Sequence, residues 1–183
     1  KVGIITLPLK KNYGGLLQSY ALQAYLSKKG YEVILIDRRY NESSLTPLKN
    51  IVRSVIFPKK HKQIQASIES AKNAKYFREK YISPKTEEIL SEKQLAKITE
   101  EYKFDAVIVG SDQVWRPEYS SSVVYNLFLD FIKDESGTKI MSYAASFGVA
   151  DWSSSAEITE NVSRLIKRFD HISVREDSGV DLC

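Results

Sequence analysis

The stretch from Phe104 to Pro117, FDAVIVGSDQVWRP, constrains the fold more than any other part of the chain. Ala106-Val107-Ile108-Val109 is apolar with no polar alternation, the pattern of a strand covered on both faces in the middle of a parallel sheet. Gly110 ends the run. Ser111, Asp112 and Gln113 then place a hydroxyl, a carboxylate and an amide just past the strand's carboxyl end, where open α/β sheets bind ligands. Trp115 and Arg116 follow, offering an aromatic face and a fixed cation. The same residues read equally well as a capped turn, because Ser and Asp are common helix caps and Gly a common turn former.

The rest of the chain reads as support for that strand. KVGIITLPL opens with a strand over Val2–Leu7, and a loop over Lys10–Gly15 carries NYGG. A helix follows through Leu16, Tyr20, Leu22 and Leu26, closed by Gly30 at the position of a C′ glycine. Tyr31–Ile36 is a second strand, ending at Asp37-Arg38-Arg39. Strand, helix and strand make a βαβ unit, whose strands are parallel. Asp37 stands where a ribose-binding acid would lie, yet NYGG is not the G-x-G-x-x-G of a dinucleotide site. The reading kept is that Asn12, Tyr13 and Gly14 face the same crevice as Ser111 and Gln113; the alternative is a tight turn with Gly15 at positive φ.

Residues 41–101 read as helical and peripheral. Leu45–Phe57 stops at Pro58, Lys62–Tyr81 is a long polar helix broken by Ser83-Pro84, and Glu87–Tyr102 leads into the central strand. The basic run Lys59-Lys60-His61-Lys62 reads as a solvated helix entry and is given no function. Past the centre come a loop over Ser120–Asn126, a short strand or turn of helix over Leu127–Phe131, and a hairpin-like connection over Lys133–Thr138. Lys139–Tyr143 is a strand that runs into the small residues of AASFG. Trp152–Ser155 starts a helix carrying Ile158, Val162, Leu165 and Ile166. A last short strand, Ile172–Val174, delivers Arg175-Glu176-Asp177-Ser178 and a helix over Gly179–Cys183. The expectation is one α/β domain over residues 1–183, whose single parallel sheet holds Val2–Leu7, Tyr31–Ile36, Ala106–Val109, Lys139–Tyr143 and Ile172–Val174.

Four segments, NYGG, GSDQVW, AASFG and VRED, therefore release small or polar residues at one sheet edge. A crevice with Asp112, Arg175 and the hydroxyls of Ser111 and Ser146 suits an anionic small molecule. Arg175 reads nearly as well as a member of a local ion-pair network with Glu176 or Asp177. Composition excludes several other classes. With 27 Lys and Arg against 23 Asp and Glu, the net charge of +4 is a mild bias toward anions. The basic residues lack the interleaved aromatic platforms of a nucleic-acid module. One cysteine, Cys183, excludes an internal disulfide and a cysteine-rich zinc site and makes a reduced cytoplasm the expected compartment. His61 and His171 are too few and too far apart to imply a metal centre or triad, so no metal ligand is assigned, and redox chemistry is not suggested, so no cofactor is expected. No apolar run approaches the roughly 20 residues of a membrane helix, which leaves at most peripheral membrane contact.

NYGGLLQSYALQAYL, FDAVIVGSDQVW, SYAASFG and ISVRED, in that order, resemble the polysaccharide pyruvyl transferases, and the resemblance spans Lys1 to Cys183. It implies a Rossmann-like parallel sheet with helices on both faces, similar to the N-terminal half of a GT-B type two-domain enzyme, with the second half absent from this chain. It implies transfer of an enolpyruvyl unit from phosphoenolpyruvate to a sugar of a cell-surface polysaccharide or its lipid-linked precursor, giving a pyruvate ketal and phosphate. By the family's motifs, Asp112 and Arg175 are the catalytic pair: Arg175 takes the donor's phosphate or carboxylate, and Asp112 acts in acid–base chemistry or positions the acceptor. Asn12, Tyr13, Gly14, Ser111, Gln113 and Ser146 line the substrate crevice. Two other classes stay open, a related nucleotide-sugar glycosyltransferase and a non-catalytic glycan-binding member of exopolysaccharide assembly.

Overall fold

A computed structural model describes residues 1–9, 12–39, 61–120 and 123–183, with backbone only at 61–67 and 120. The strands β1 (Val2–Ile5), β2 (Val33–Ile36), β3 (Ala106–Asp112) and β4 (Lys139–Ala145) form one four-stranded sheet in the order β2-β1-β3-β4. Every pairing is parallel: Ile4 lies beside Leu35 on one side and Ile108 on the other, and Val109 lies beside Ser142. Between the strands run α1 (Tyr13–Lys28), α2 (His61–Tyr81), α3 (Glu92–Tyr102) and the single turn α4 (Pro117–Ser120), and α5 (Ala156–Ile166) and α6 (Asp177–Asp181) follow β4. The arrangement is the expected Rossmann-like α/β fold.

The unalternated runs are explained by two cores, one on each face of the sheet. Val2, Ile4, Val33, Leu35, Ala106 and Ile108 point to Leu16 and Leu22 of α1 and Ala74 of α2. Ile5, Ile34, Ile36, Val107 and Val109 point the other way, to Leu95 and Ile98 of α3 and Val162, Leu165 and Ile166 of α5. With both faces dry, alternation would only bury polar groups, so every position is apolar.

Several boundaries differ from the sequence reading, each for a physical reason. α1 starts at Tyr13, so Gly14 and Gly15 lie in its first turn rather than in a loop, and Gly15 is not among the positive-φ residues. Asn12 sets that start by accepting from the Gly15 amide at 3.2 Å. α3 begins at Glu92 instead of Glu87 because Ser91 and Gln94 close a reciprocal capping box. The residues before it instead lie along the β2 edge through the bridges Leu35–Lys85 and Arg38–Ile89. Leu127–Phe131 resolves as a turn of helix, with a 3-10 helix over Tyr125–Phe128. Lys133–Thr138 is no hairpin but a 3-10 turn over Asp134–Ser136. The helix Leu45–Phe57 and the lysines at 59 and 60 lie outside the described residues.

Ile172–Val174 is not a full strand. It runs parallel to β4 but touches it only through the bridges Met141–His171 and Ala145–Val174. Between those points serine side chains replace the ladder: the Ser173 amide donates to Ser142 Oγ at 2.9 Å, and Ser142 Oγ donates to the Ser173 carbonyl at 3.0 Å. The offset between the chains changes by one residue across this stretch, and Ala144 there has φ 47°. Asp170 ties the same segment to the start of β4, accepting from the Ile140 amide at 2.9 Å and from Lys139 Nζ at 2.7 Å.

The Lys139 hydrogen bond, first, and the Ile140 amide, second, hold the Asp170 carboxyl below the usual carboxylate range. A lowered folded-state pKa gives stability that is present above the unfolded value, about 4, and lost as pH falls through the folded value. Asp170→Asn should therefore lower the unfolding midpoint at neutral pH. The gap to the unsubstituted protein should close as thermal melts are moved into strong acid; a gap independent of pH would contradict this.

Candidate active site

The site is built where β1, β3 and β4 end. β3 carries its pairing past the apolar run, so Asp112 still sits beside Ala145 at the rim. Gly110 makes that possible. Its φ is 136°, and a Cβ on it would lie 2.2 Å from the Tyr143 carbonyl oxygen of β4. Asp112 itself has φ 79°, a left-handed conformation that Asp tolerates better than most residues.

Three expected residues meet there. Asn12 Nδ2 donates to Asp112 Oδ2 at 3.2 Å, while Arg175 Nη1 lies 3.7 Å from Asp112 Oδ1. One carboxylate is thus held by the cap of α1 on one side and by a guanidinium on the other. Arg175 is half-exposed, its side chain 48% accessible, so the group faces outward from the edge. Its Nε lies 3.7 Å from Glu176 Oε2, which is the local ion pair that the sequence also allowed for Arg175.

Glu176 is the member the sequence reading left out of the site. Its Oε1 accepts from Ser146 Oγ at 2.6 Å and from the Gly148 amide at 3.3 Å. Ser146 is buried, at 1% exposure, so it anchors Glu176 from beneath instead of lining an open crevice. The signal was present in VRED, where Glu176 directly follows Arg175, but spacing could not say which acid is fixed by which hydroxyl.

The other candidates are placed as follows. The Ser111 carbonyl accepts from Gln18 Nε2 at 3.0 Å and Thr6 Oγ1 at 3.3 Å, which pins β3 to α1 and β1 at the rim. Gln113 accepts from Arg116 Nη1 at 3.1 Å and packs against Gly148. Gly14 is exposed in the first turn of α1, and Tyr13 is exposed with its hydroxyl directed to the Ser70 carbonyl. Trp115 offers no face to a ligand. It is fully buried, stacked on Phe128 with centroids 5.3 Å apart, and donates to the Leu127 carbonyl at 2.9 Å. Asp37 is likewise buried and held by Arg39, at 2.6 Å from Nε and 2.9 Å from Nη2.

Two adjoining hollows of about 220 and 430 Å³ lie at the opposite, amino edge of the sheet, around Ile132, Lys133, Gly137 and Thr138. They are lined mainly by loop residues, so the convergence of side chains, not cavity size, singles out the carboxyl edge. Among the described residues, no group of three or more His, Cys, Asp or Glu is placed to hold a metal ion, and no helix is long and apolar enough to cross a membrane.

A family model described as polysaccharide pyruvyl transferase matches residues 12–183, from the cap of α1 through β3, β4 and the Arg175 turn. The chain belongs to the polysaccharide pyruvyl transferase family. No curated protein and no solved structure matches it. Membership makes the protein a transferase of polysaccharide biosynthesis, with a polysaccharide as acceptor. All the residues just described, except Thr6, fall inside the matched stretch.

Asn12→Asp isolates the Asn12–Asp112 contact. Aspartate keeps the acceptor that caps α1, so any stability it loses beside the Asp112 charge should be regained as pH falls, whereas the loss in Asn12→Ala, about 1 kcal/mol, should not be. Aspartate also replaces the Nδ2 donor with a second carboxylate 3.2 Å from Asp112. Transfer activity should then fall by about tenfold or more, with the residual rate rising toward acid as one of the two acids takes a proton. Unchanged activity would remove Asn12 from the site.

Proposed function

We propose that this protein transfers an enolpyruvyl unit from phosphoenolpyruvate to two hydroxyls of one sugar, with Arg175 gripping the donor and Asp112 serving the acceptor hydroxyls. The observation that carries the proposal is Asp112 set between the Asn12 amide and the half-exposed Arg175 guanidinium, at the rim where a parallel sheet binds its ligands. In this reading no cofactor takes part. The acceptor is a cell-surface polysaccharide or its lipid-linked precursor, met in the cytoplasm. A second Rossmann-like domain, in the GT-B manner, supplies the facing wall of the cleft and further cations.

The chemistry asks for what this edge offers. Protonation of the donor's methylene carbon makes its central carbon an oxocarbenium-like centre, and the first sugar hydroxyl adds there as its proton leaves. In this reading Asp112 accepts that proton, and its charge favours the cationic centre. The carbon–oxygen bond to phosphate then breaks, and the second hydroxyl closes the ketal. The two hydroxyl protons end on the new methyl group and on phosphate, so one diol and one donor give one ketal and one hydrogen phosphate. A guanidinium suits the donor because its planar fork binds carboxylate or phosphate through paired hydrogen bonds. The positive end of α1, 16 residues long, opens onto the same rim.

Phosphate release from phosphoenolpyruvate, followed in the presence of a saccharide panel by protein carrying both halves, tests this directly. Arg175→Lys and Arg175→Ala should each lose about a hundredfold or more of turnover while keeping their unfolding midpoints, because lysine keeps the charge but not the fork. A nearly active Arg175→Lys would return Arg175 to a local ion pair. Asp112→Asn should lose turnover and keep donor binding. No phosphate release from phosphoenolpyruvate across the panel would overturn the donor assignment, and residues 1–183 alone should release none because a single wall leaves the site wet.

A further inference from the structure

α1 is apolar on the side facing away from the core as well as on the side facing it. Gly15, Leu16, Ser19, Leu22 and Gln23 are buried against the sheet. On the opposite side Leu17, Ala21, Ala24 and Tyr25 repeat at helical spacing, and Leu17 and Tyr25 are 56% and 58% exposed. One flank is covered by α2, where Tyr20 meets the Phe77 and Tyr81 rings at 5.9 and 6.2 Å. The outward stripe lies beyond that contact. A helix apolar all round normally has both sides covered.

Charge indicates the cover. Residues 13–27 carry no charged side chain, Lys28 and Lys29 follow, and no acid occurs before Glu32, which pairs with Lys1 at 3.2 Å. On α2, Lys80 lies 5.2 Å from the Tyr76 and Tyr81 ring centres, Lys72 is exposed, and Lys75 is paired with Glu79 at 3.7 Å. Exposed Leu and Tyr on one stripe, with lysines at its end, suit a membrane interface, which takes apolar side chains at its acyl boundary and lysines at its headgroups. A second copy of the chain would bring the same acid-free helix and no counter-charge. An anionic bilayer supplies an apolar layer for Leu17 and Tyr25 and phosphates for Lys28 and Lys29.

We infer that the outer stripe of α1 docks the protein flat on an anionic lipid surface. The 16-residue helix is about 24 Å long and starts at Asn12, the residue that holds Asp112. Docked this way, the active-site rim meets the bilayer plane, where a lipid-borne acceptor would present its sugar. The surface follows from the exposed side chains and holds whichever donor the site uses.

Co-sedimentation with phosphatidylcholine vesicles, with and without phosphatidylglycerol, tests the inference without any turnover assay. Binding should require phosphatidylglycerol and weaken as salt rises. Lys28→Gln with Lys29→Gln should weaken it by roughly thirtyfold, about fivefold per lysine. Leu17→Asp should weaken it by about tenfold or more, with circular dichroism and melting unchanged because the position is exposed. Leu90→Asp, an exposed apolar residue elsewhere, should bind like the unsubstituted protein. Equal binding to uncharged vesicles, insensitivity to Leu17→Asp, or a dimer that Leu17→Asp dissociates would each overturn the proposal, the last by giving the stripe to a second copy.

Discussion

The contact on which the site depends is the approach of β3 to β4 at Gly110. The Tyr143 carbonyl oxygen occupies the space a side chain would need, 2.2 Å from the Cβ position, so the two strands stay paired as far as Asp112 and Ala145. Without that closeness β3 would splay at the end of its apolar run. Asp112 would then leave the edge where Arg175 and Asn12 meet it. A backbone contact thus sets the position of a carboxylate two residues on.

From that contact the site extends in two directions through polar side chains of graded burial. Toward α1, Asn12 uses its carbonyl to cap the helix and its amide to hold Asp112, so helix entry and carboxylate orientation are one structural event. Toward the last segment, the buried Ser146 fixes Glu176, and Glu176 stands beside Arg175. The guanidinium is flanked by two acids at 3.7 Å, longer than a hydrogen bond in both cases. Charge contacts of that length orient an arginine and leave its geometry able to tighten on an anion.

The frame beneath is apolar, and it has absorbed residues that look chemical in the sequence. Trp115 serves as the centre of an aromatic cluster with Phe128, Phe147 and Phe169. Its indole N–H is satisfied by the Leu127 carbonyl, the usual arrangement for a buried tryptophan. Asp37 and Arg39 form a buried pair at the end of β2, and Arg38 bonds Asn126 and Glu92. These groups hold the β2 end and its neighbouring loops; the candidate site is formed at the ends of β1, β3 and β4.

The sequence by itself determined the parallel α/β architecture, since runs such as Ala106–Val109 and Val33–Ile36 are stable only when both faces are dry. It also located the rim, because small and polar residues must follow such runs where the chain leaves the core. Asp112, Arg175 and Asn12 were legible as candidates for that reason, and the ordered motifs pointed to the family. Only the tertiary structure decided their partners. Periodicity places a residue at an edge but carries no information on which residue, about a hundred positions away, lies across from it, as with Asn12 and Asp112. Nor could it show that serine side chains would replace the ladder beside β4, that Trp115 would turn inward, or that α1 would leave an apolar stripe outside. Those outcomes depend on which surfaces the packed helices cover, a property of the assembled layers.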